Sequence, residues 1–249
     1  MSSNHVIRWL LKPAVFLASL GPAAWLAWAL GGMFGYWQPP AGLSPNPLQD
    51  VTYETGLWAL RFLCITLTLT PLRRLTGWNA VIRFRRMTGL FAFFYGSLHF
   101  LIYAIADRLL SLIDFPDGIF SWDTASRLAA AIGEDIYKRP FITVGFTALM
   151  LMLPLAVTST AAMIRRLGGK RWQALHRLVY VSAIAGVVHY WWLVKADISR
   201  PRNYALIVGA LLLFRVVWAR RRARKPSLVR PVAPKPEAQA VTSTRSAEL

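Results

Sequence analysis

The sequence predicts an all-α, polytopic membrane protein with six transmembrane helices. Of its 249 residues, 55% are hydrophobic and 16% are charged, whereas an ordinary soluble domain has roughly 25% charged residues. The apolar residues come in long runs of about 20, the length that crosses a bilayer as a helix. Basic and acidic residues also alternate between successive connections, as in multi-pass membrane proteins. The predicted spans are residues 14–36, 53–72, 87–106, 141–163, 172–194 and 204–219.

The charge distribution predicts that both termini lie in the cytoplasm. With the N-terminus inside, the inner side receives the basic clusters around residues 8–12, 73–86, 165–177 and 220–222. The outer connections receive nearly all of the acidic residues. This is the positive-inside pattern. We therefore expect the net charge of +18 to face anionic membrane lipids and not nucleic acid.

One membrane domain accounts for most of the chain. Residues 1–13 are predicted to be a cytoplasmic N-terminus, residues 14–222 the membrane domain, and residues 223–249 a disordered basic, proline-rich cytoplasmic tail. The first run is longer than the apolar core of a signal peptide, so we expect a retained helix. The outer connection 107–140 contains a predicted amphipathic helix, 124–137, that could lie on the membrane surface. Cys64 is the single cysteine, which excludes an internal disulfide.

Three of the four histidines lie in apolar runs. Ionisable side chains are costly in a membrane and usually functional there, and imidazoles that face each other across a helix bundle suit axial ligation of haem iron. His99 follows Arg86 by thirteen residues in the third run. His189 follows His176 by thirteen residues in the fifth, parallel run. If His99 and His189 share a level near the outer side, where they could clamp one haem iron, this spacing places His176 at the level of Arg86 near the inner side.

Two further spacings bear on this arrangement. Gly96 and Gly186 each precede a histidine of the pair by three residues, which leaves room on the same helix face for a flat macrocycle. Against a simple picture, thirteen residues leave His176 and His189 about 140° apart on an ideal helix. Either that helix is distorted, or the two histidines address different partners. The plain alternative for all three histidines is polar contact between helices, or hydration in the case of His176.

The arginines offer candidate anion sites. Arg85 and Arg86 begin the third run, where they either determine topology or bind haem propionates or a flavin phosphate. Arg61 lies about two turns inside the second run, where it pairs with a haem propionate or with Glu54, seven residues earlier. These residues and the three histidines are the candidate cofactor-binding set: His99, His189, His176, Arg85, Arg86 and Arg61.

Three segments resemble one known family. They are RRMTGL at residues 85–90, followed by Tyr95 and His99; TPLRR at 70–74; and WQALHRLVY at 172–180. Together they resemble the MsrQ (YedZ) family, within the ferric-reductase-like transmembrane superfamily, over about residues 8–222. Full ferric-reductase relatives carry two histidines on each of two helices. This sequence has arginine at the fourth position, so one haem b is expected at His99 and His189 and a second, ligated by His176, stays open.

The resemblance implies an electron-transfer role in the bacterial inner membrane. Members carry b-type haem and FMN, and take electrons from the quinone pool or from a cytoplasmic flavin reductase. They pass the electrons to MsrP, a periplasmic molybdopterin enzyme that reduces methionine sulfoxide in oxidised envelope proteins, so catalysis is expected in the partner. The sequence itself has no dinucleotide-binding fingerprint, which agrees with an external donor. The alternatives are a free-standing ferric or metal reductase, a proton-coupled transporter and a structural membrane anchor.

Overall fold

The computed structural model describes residues 3–33, 35–38, 46–112 and 121–223, and it is helical almost throughout these ranges, with no strand among them. The proline- and glycine-rich stretch 38–50, which the sequence predicts to be an external turn, lies mostly outside the described residues, as do part of the connection 107–140 and the predicted tail from residue 224. The helices are α1 (Ser3–Val6), α2 (Lys12–Met33), α3 (Pro47–Thr76), α4 (Arg85–Ile102), α5 (Trp122–Lys138), α6 (Pro140–Val157), α7 (Ala161–Leu167), α8 (Gly169–Leu175), α9 (Leu178–Leu193) and α10 (Ser199–Ala223). Two π-helical segments, Ile7–Leu11 and Tyr103–Leu109, extend α2 and α4, and a 3₁₀ segment, Asn79–Phe84, leads into α4.

The predicted polytopic all-α class is confirmed. Five helical segments of the described chain are long and apolar enough to cross a membrane: Ile7–Gly32, Pro47–Thr76, Asn79–Leu109, Pro140–Val157 and Ser199–Ala223. The remaining predicted span, 172–194, corresponds to α9, which has 16 residues. At 1.5 Å per residue α9 is only about 24 Å long, less than the roughly 30 Å hydrocarbon core. The count of six and the inside–outside orientation therefore stay predictions.

Two predicted spans are divided in the structure. The run 172–194 was expected to be one helix, but α8 ends at Leu175 and α9 begins at Leu178. The run 141–163 is divided after Val157, where the Thr158 hydroxyl donates to the Pro154 carbonyl at 2.6 Å. The Thr160 side chain then caps α7 by accepting from the backbone N–H of Met163. Local side-chain hydrogen bonds of this kind end helices that apolar composition alone would continue.

Two antiparallel helix pairs form the centre of the bundle. α3 packs along α4, where Phe62 stacks on Tyr95 with ring centroids 5.4 Å apart. α6 packs along α9, where the buried Ser182 hydroxyl donates to the Ala148 carbonyl at 2.7 Å. Below, "outer end" means the end with Pro47, Leu193 and Ser199, and "inner end" the opposite one, following the charge pattern.

Tyr95 ties the first membrane helix to this centre. Its side chain is fully buried, and its hydroxyl donates to the Ser19 carbonyl at 2.7 Å and accepts from the Ala23 N–H at 3.1 Å. Those two backbone groups would otherwise bond to each other as an i→i+4 pair. The tyrosine hydroxyl is therefore inserted into the hydrogen-bond ladder of α2, next to Pro22, where helix geometry is already disturbed.

The amphipathic helix predicted at 124–137 is confirmed as α5. The buried Asp135 carboxylate fastens α5 to its neighbours. It accepts from the Tyr103 hydroxyl and pairs with Arg108, both on the outer extension of α4, and with Arg139 at 3.2 Å. α5 is thus held against the outer ends of α4 and α6.

Candidate cofactor site between the two helix pairs

The structure brings His99 and His189 opposite each other near the outer end. His99 comes from α4 and His189 from α9, so each helix pair contributes one imidazole. The ring centroids are 6.1 Å apart and the ring planes are inclined at 73°. The two side chains that the sequence pairs at one level therefore lie next to each other in the structure.

A backbone carbonyl orients each imidazole. His99 Nδ1 lies 2.8 Å from the Thr52 carbonyl, and His189 Nδ1 lies 2.7 Å from the Phe141 carbonyl. Because a carbonyl oxygen only accepts, both Nδ1 atoms carry the proton and donate. The lone pair is then on Nε2, the arrangement that carbonyl partners impose on metal-ligating histidines.

Each carbonyl is accompanied by a glycine four residues later on the same helix face. A Cβ atom at Gly56 would lie 3.1 Å from the His99 ring, and one at Gly145 would lie 2.6 Å from His189 Nδ1. The two histidines are therefore seated in the same way: a carbonyl at position i and a glycine at i+4 of the partner helix. Only a residue without a side chain leaves this space at position 145.

The separation of the imidazoles fits a shared iron atom. An imidazole nitrogen binds a first-row metal at about 2 Å, and it lies about 1.2 Å from the centre of a ring with bonds of about 1.35 Å. An iron midway between two such rings would place their centres roughly 6.4 Å apart. The observed separation is 6.1 Å. Two neutral imidazoles with their Nδ1 protons already bonded are also the donor set of a six-coordinate haem.

The glycines predicted to make room for a macrocycle lie elsewhere on the same helices. A Cβ at Gly96 would meet Leu149 at 3.4 Å, and one at Gly186 would meet Leu60 at 3.7 Å. Both face apolar side chains of neighbouring helices and not the imidazoles. The prediction that they flank a macrocycle stays a prediction.

His176 occupies a separate position at the inner end, in the turn between α8 and α9. Of the two alternatives that the thirteen-residue spacing left, a distorted helix is present, because α8 and α9 are separated at residues 176–177. The ring lies against Trp172, with centroids 3.9 Å apart, and His176 Nδ1 lies 3.0 Å from the Trp172 carbonyl. Its Nε2 is buried near the Leu155 carbonyl and makes no hydrogen bond within the part of the chain that is described. Arg85 is a positively charged neighbour of the His176 imidazole.

The three candidate arginines are not in one place. Arg85 is half-buried at the inner end, whereas Arg86 is exposed beside it. Arg61 pairs with Glu54 at 3.3 Å and covers the ring of Trp58 at 4.5 Å. Nine residues separate Arg61 from Thr52, which is about 180° around a helix. Arg61 thus faces away from the imidazole pair and has the carboxylate partner that the sequence offered as its alternative.

Sequence reasoning missed Arg215, a charged residue inside the last apolar run. Its guanidinium donates to the Leu67 and Leu211 carbonyls and lies 5.4 Å from the centroid of the Tyr180 ring. Arg74 and Arg85 are its like-charged neighbours. Positive charge at the inner end therefore gathers around Arg85, which lies close to both Arg215 and His176. An arginine within an apolar run was the sequence signal that could have pointed to Arg215.

Comparisons with known proteins agree with this arrangement. The family described as "Ferric reductase like transmembrane component" matches residues 55–187, a segment that includes Gly56, His99, Gly145 and His176. A protein of Ralstonia nicotianae is 53% identical over 185 residues, covering 74% of this chain and 77% of the relative. A protein of Herminiimonas arsenicoxydans is 46% identical over 218 residues, covering 87% and 88%.

Both relatives carry the name "Protein-methionine-sulfoxide reductase heme-binding subunit MsrQ", as does a protein of Azospira oryzae that is 49% identical over 83% of this chain and 78% of its own length. The resemblance seen in the three sequence segments is therefore confirmed, and the chain belongs to the MsrQ family.

Proposed function

We propose that this protein is the haem-binding membrane subunit of a methionine sulfoxide reductase system and that it carries electrons to a periplasmic partner. The observation that carries the proposal is the pair of facing imidazoles, His99 and His189, each with its Nδ1 proton bonded to a carbonyl. The names of the relatives, which describe haem-binding subunits, support the same reading.

His99 and His189 would hold one haem b through their Nε2 atoms. The bound haem supplies a one-electron Fe(III)/Fe(II) couple. The Thr52 and Phe141 carbonyls keep the imidazoles in the ligating tautomer and orientation, and Gly56 and Gly145 let each ring approach its carbonyl. α3 and α6 therefore act as supports, while α4 and α9 provide the ligands.

The inner end would bind a second cofactor where electrons enter. His176 has a buried, unbonded Nε2 among the described residues, and Arg85, Arg86 and Arg215 supply cationic donors for the phosphate of FMN or for haem propionates. A second haem ligated by His176 and FMN are the two candidates. Quantifying haem and flavin separately in purified protein distinguishes them.

The protein would reside in the bacterial inner membrane, with the haem pair on the periplasmic side. Electrons would come from quinol or from a cytoplasmic flavin reductase and pass to a molybdopterin enzyme of the MsrP type. Reduction of methionine sulfoxide would take place on that partner. The exposed tryptophans Trp191 and Trp192 and the exposed face of α5 lie at the outer end, within reach of a periplasmic protein.

The partner-coupled function is tested by reoxidation of the reduced protein. We expect the dithionite-reduced haem to be reoxidised by purified MsrP together with methionine sulfoxide, and only slowly by a ferric chelate. The matched family profile names ferric-reductase-like components, so the reverse preference would favour a free-standing metal reductase. Reoxidation by neither acceptor would contradict both readings.

A further inference from the structure

An approximate twofold relation connects the two helix pairs around the imidazoles. α3 provides the Thr52 carbonyl and α6 provides the Phe141 carbonyl, and a glycine follows each of them four residues later. α3 also contacts α9, just as α6 contacts α4. The residues directly after each carbonyl and each histidine therefore occupy corresponding positions on two opposite sides of the site, the α3/α9 side and the α4/α6 side.

The two sides differ in their chemistry. On the α3/α9 side the corresponding residues are Tyr53 and Tyr190, whose hydroxyl oxygens lie 2.5 Å apart. On the α4/α6 side they are Phe100 and Ile142, and the Phe100 ring packs against Phe146 of α6 with centroids 5.6 Å apart. One side thus carries two hydroxyl groups at the positions where the other carries hydrocarbon.

The α3/α9 side also carries a cation. Arg200, in the first turn of α10, is a hydrogen-bonding neighbour of the Tyr53 hydroxyl and lies close to Tyr190. A guanidinium only donates, and two hydroxyls that share one hydrogen bond retain one further proton to donate. This side therefore offers guanidinium and hydroxyl donors together, the combination that binds a carboxylate strongly.

The cationic donors near the α4/α6 side already have a carboxylate partner. Arg108 and Arg139 both pair with the buried Asp135 carboxylate, which also accepts from the Tyr103 hydroxyl. A second carboxylate placed there would compete with Asp135 for the same donors and would be repelled by its charge. An anionic group of a ligand is therefore favoured on the α3/α9 side.

Haem b has a matching difference between its edges. One edge carries two propionate carboxylates, and the opposite edge carries only methyl and vinyl groups. Gly186, on the α9 face where we expect the macrocycle, lies one turn before Tyr190, and Gly96 lies one turn before Phe100 on α4. A macrocycle on these faces would extend towards hydroxyl groups on one side and towards hydrocarbon on the other.

We propose that Tyr53, Tyr190 and Arg200 bind the haem propionates, so that the methyl and vinyl edge faces the α4/α6 side. The inference rests on the proposed function, because it concerns the haem held between the two imidazoles. Arg200 would donate to a propionate oxygen, and the tyrosine pair would donate its remaining proton. Arg61, which the sequence offered for this role, is paired with a carboxylate of its own helix.

The test compares two ligands that differ only in their carboxylates. Haem-free full-length protein in nanodiscs is titrated with haem b and with its dimethyl ester, in which both propionates are neutral. Arg200→Gln and Tyr190→Phe should each weaken haem b binding about tenfold or more, because each removes a hydrogen bond to a charged group, and should leave the ester affinity unchanged. The matched controls are Arg202→Gln, at an exposed arginine of the same helix turn, and Tyr137→Phe, at an exposed tyrosine. Neither control should alter either affinity.

An equal loss of affinity for haem b and for the ester, or an unchanged haem b affinity in both variants, would overturn the assignment. A second measurement uses the unaltered chain, so it decides the orientation even if a variant does not fold. Haem with a photoreactive diazirine amide on one propionate should cross-link to the segments 50–54 and 190–204, as located by mass spectrometry. Cross-links in the segments 100–108 and 135–143 would contradict the proposed orientation. Failure of both ligands to bind the unaltered protein would instead contradict the proposed function, which keeps the two failures apart.

Discussion

Gly145→Ala should displace His189 without adding or removing a polar group. The new Cβ would lie 2.6 Å from His189 Nδ1 and 2.8 Å from Cε1, whereas ordinary contacts are 3.4–4 Å. Because α6 is fixed by its packing on α9, the imidazole must retreat by roughly 1 Å to restore contact. The Nδ1 hydrogen bond to the Phe141 carbonyl, now 2.7 Å, would stretch beyond about 3.5 Å and be lost.

Loss of a hydrogen-bond partner of this kind weakens metal binding about 10- to 100-fold, and a shift of the ligating nitrogen adds to that. The assay is a haem titration of protein purified without haem, followed by absorbance in the Soret region. Gly56→Ala should have a smaller effect, because its Cβ would lie 3.1 Å from the His99 ring. Gly209→Ala on α10 is the control, since nothing lies within 4 Å of its added Cβ. If Gly145→Ala bound haem as tightly as Gly209→Ala, the account of how His189 is seated would be refuted.

Three other substitutions test separate parts of the account. Gly186→Ala should lower haem affinity, because we expect the macrocycle to lie on that face of α9. The added Cβ would meet Leu60 at an ordinary 3.7 Å, so packing between the helices is not disturbed. Unchanged affinity would place the macrocycle elsewhere. Tyr95→Phe removes the hydroxyl that bonds the Ser19 carbonyl and the Ala23 N–H, so it should destabilise the bundle by about 1–3 kcal/mol in unfolding measurements. The control is Tyr137→Phe, at an exposed tyrosine. Equal stability of the two variants would contradict the insertion of the Tyr95 hydroxyl into α2. Asp135→Asn should lower the local stability of α5 by about 3 kcal/mol and accelerate hydrogen exchange there. The control is Glu134→Gln, and equal hydrogen-exchange protection of α5 in the two variants would mean that the Asp135 network does not hold α5.

The helical runs and the level of the imidazoles could be predicted because they depend on local rules. Apolar length gives the spans, and the constant rise of a helix converts equal sequence spacing into equal height. That is why the pairing of His99 with His189 also predicted that His176 lies at the level of Arg86. The constant turn of 100° per residue showed that His176 and His189 could not share one face of a straight helix. The structure contains a break at residues 176–177.

The carbonyl and glycine groups that position the imidazoles could not be predicted, because they belong to other helices. Nothing in the order of residues says that the Thr52 carbonyl will meet His99 or that Gly145 will lie under His189. These contacts depend on how α3 packs on α4 and α6 on α9. Likewise, Tyr95 could be seen in the sequence, but its insertion into α2 could not, because it requires the position of Pro22 relative to a helix about seventy residues away.

The central claim is that His99 and His189 together hold one haem. It is tested most directly by reduced-minus-oxidised absorption spectra, with haem quantified per chain, for the unaltered protein and for His99→Ala, His189→Ala and His176→Ala. The account predicts b-type bands of a bis-histidine haem in the unaltered protein. Haem content should fall by one equivalent per chain in each of the first two variants, and the outer haem should remain in His176→Ala. Unchanged haem content in His99→Ala or His189→Ala, or the absence of b-type bands from the unaltered protein, would contradict it.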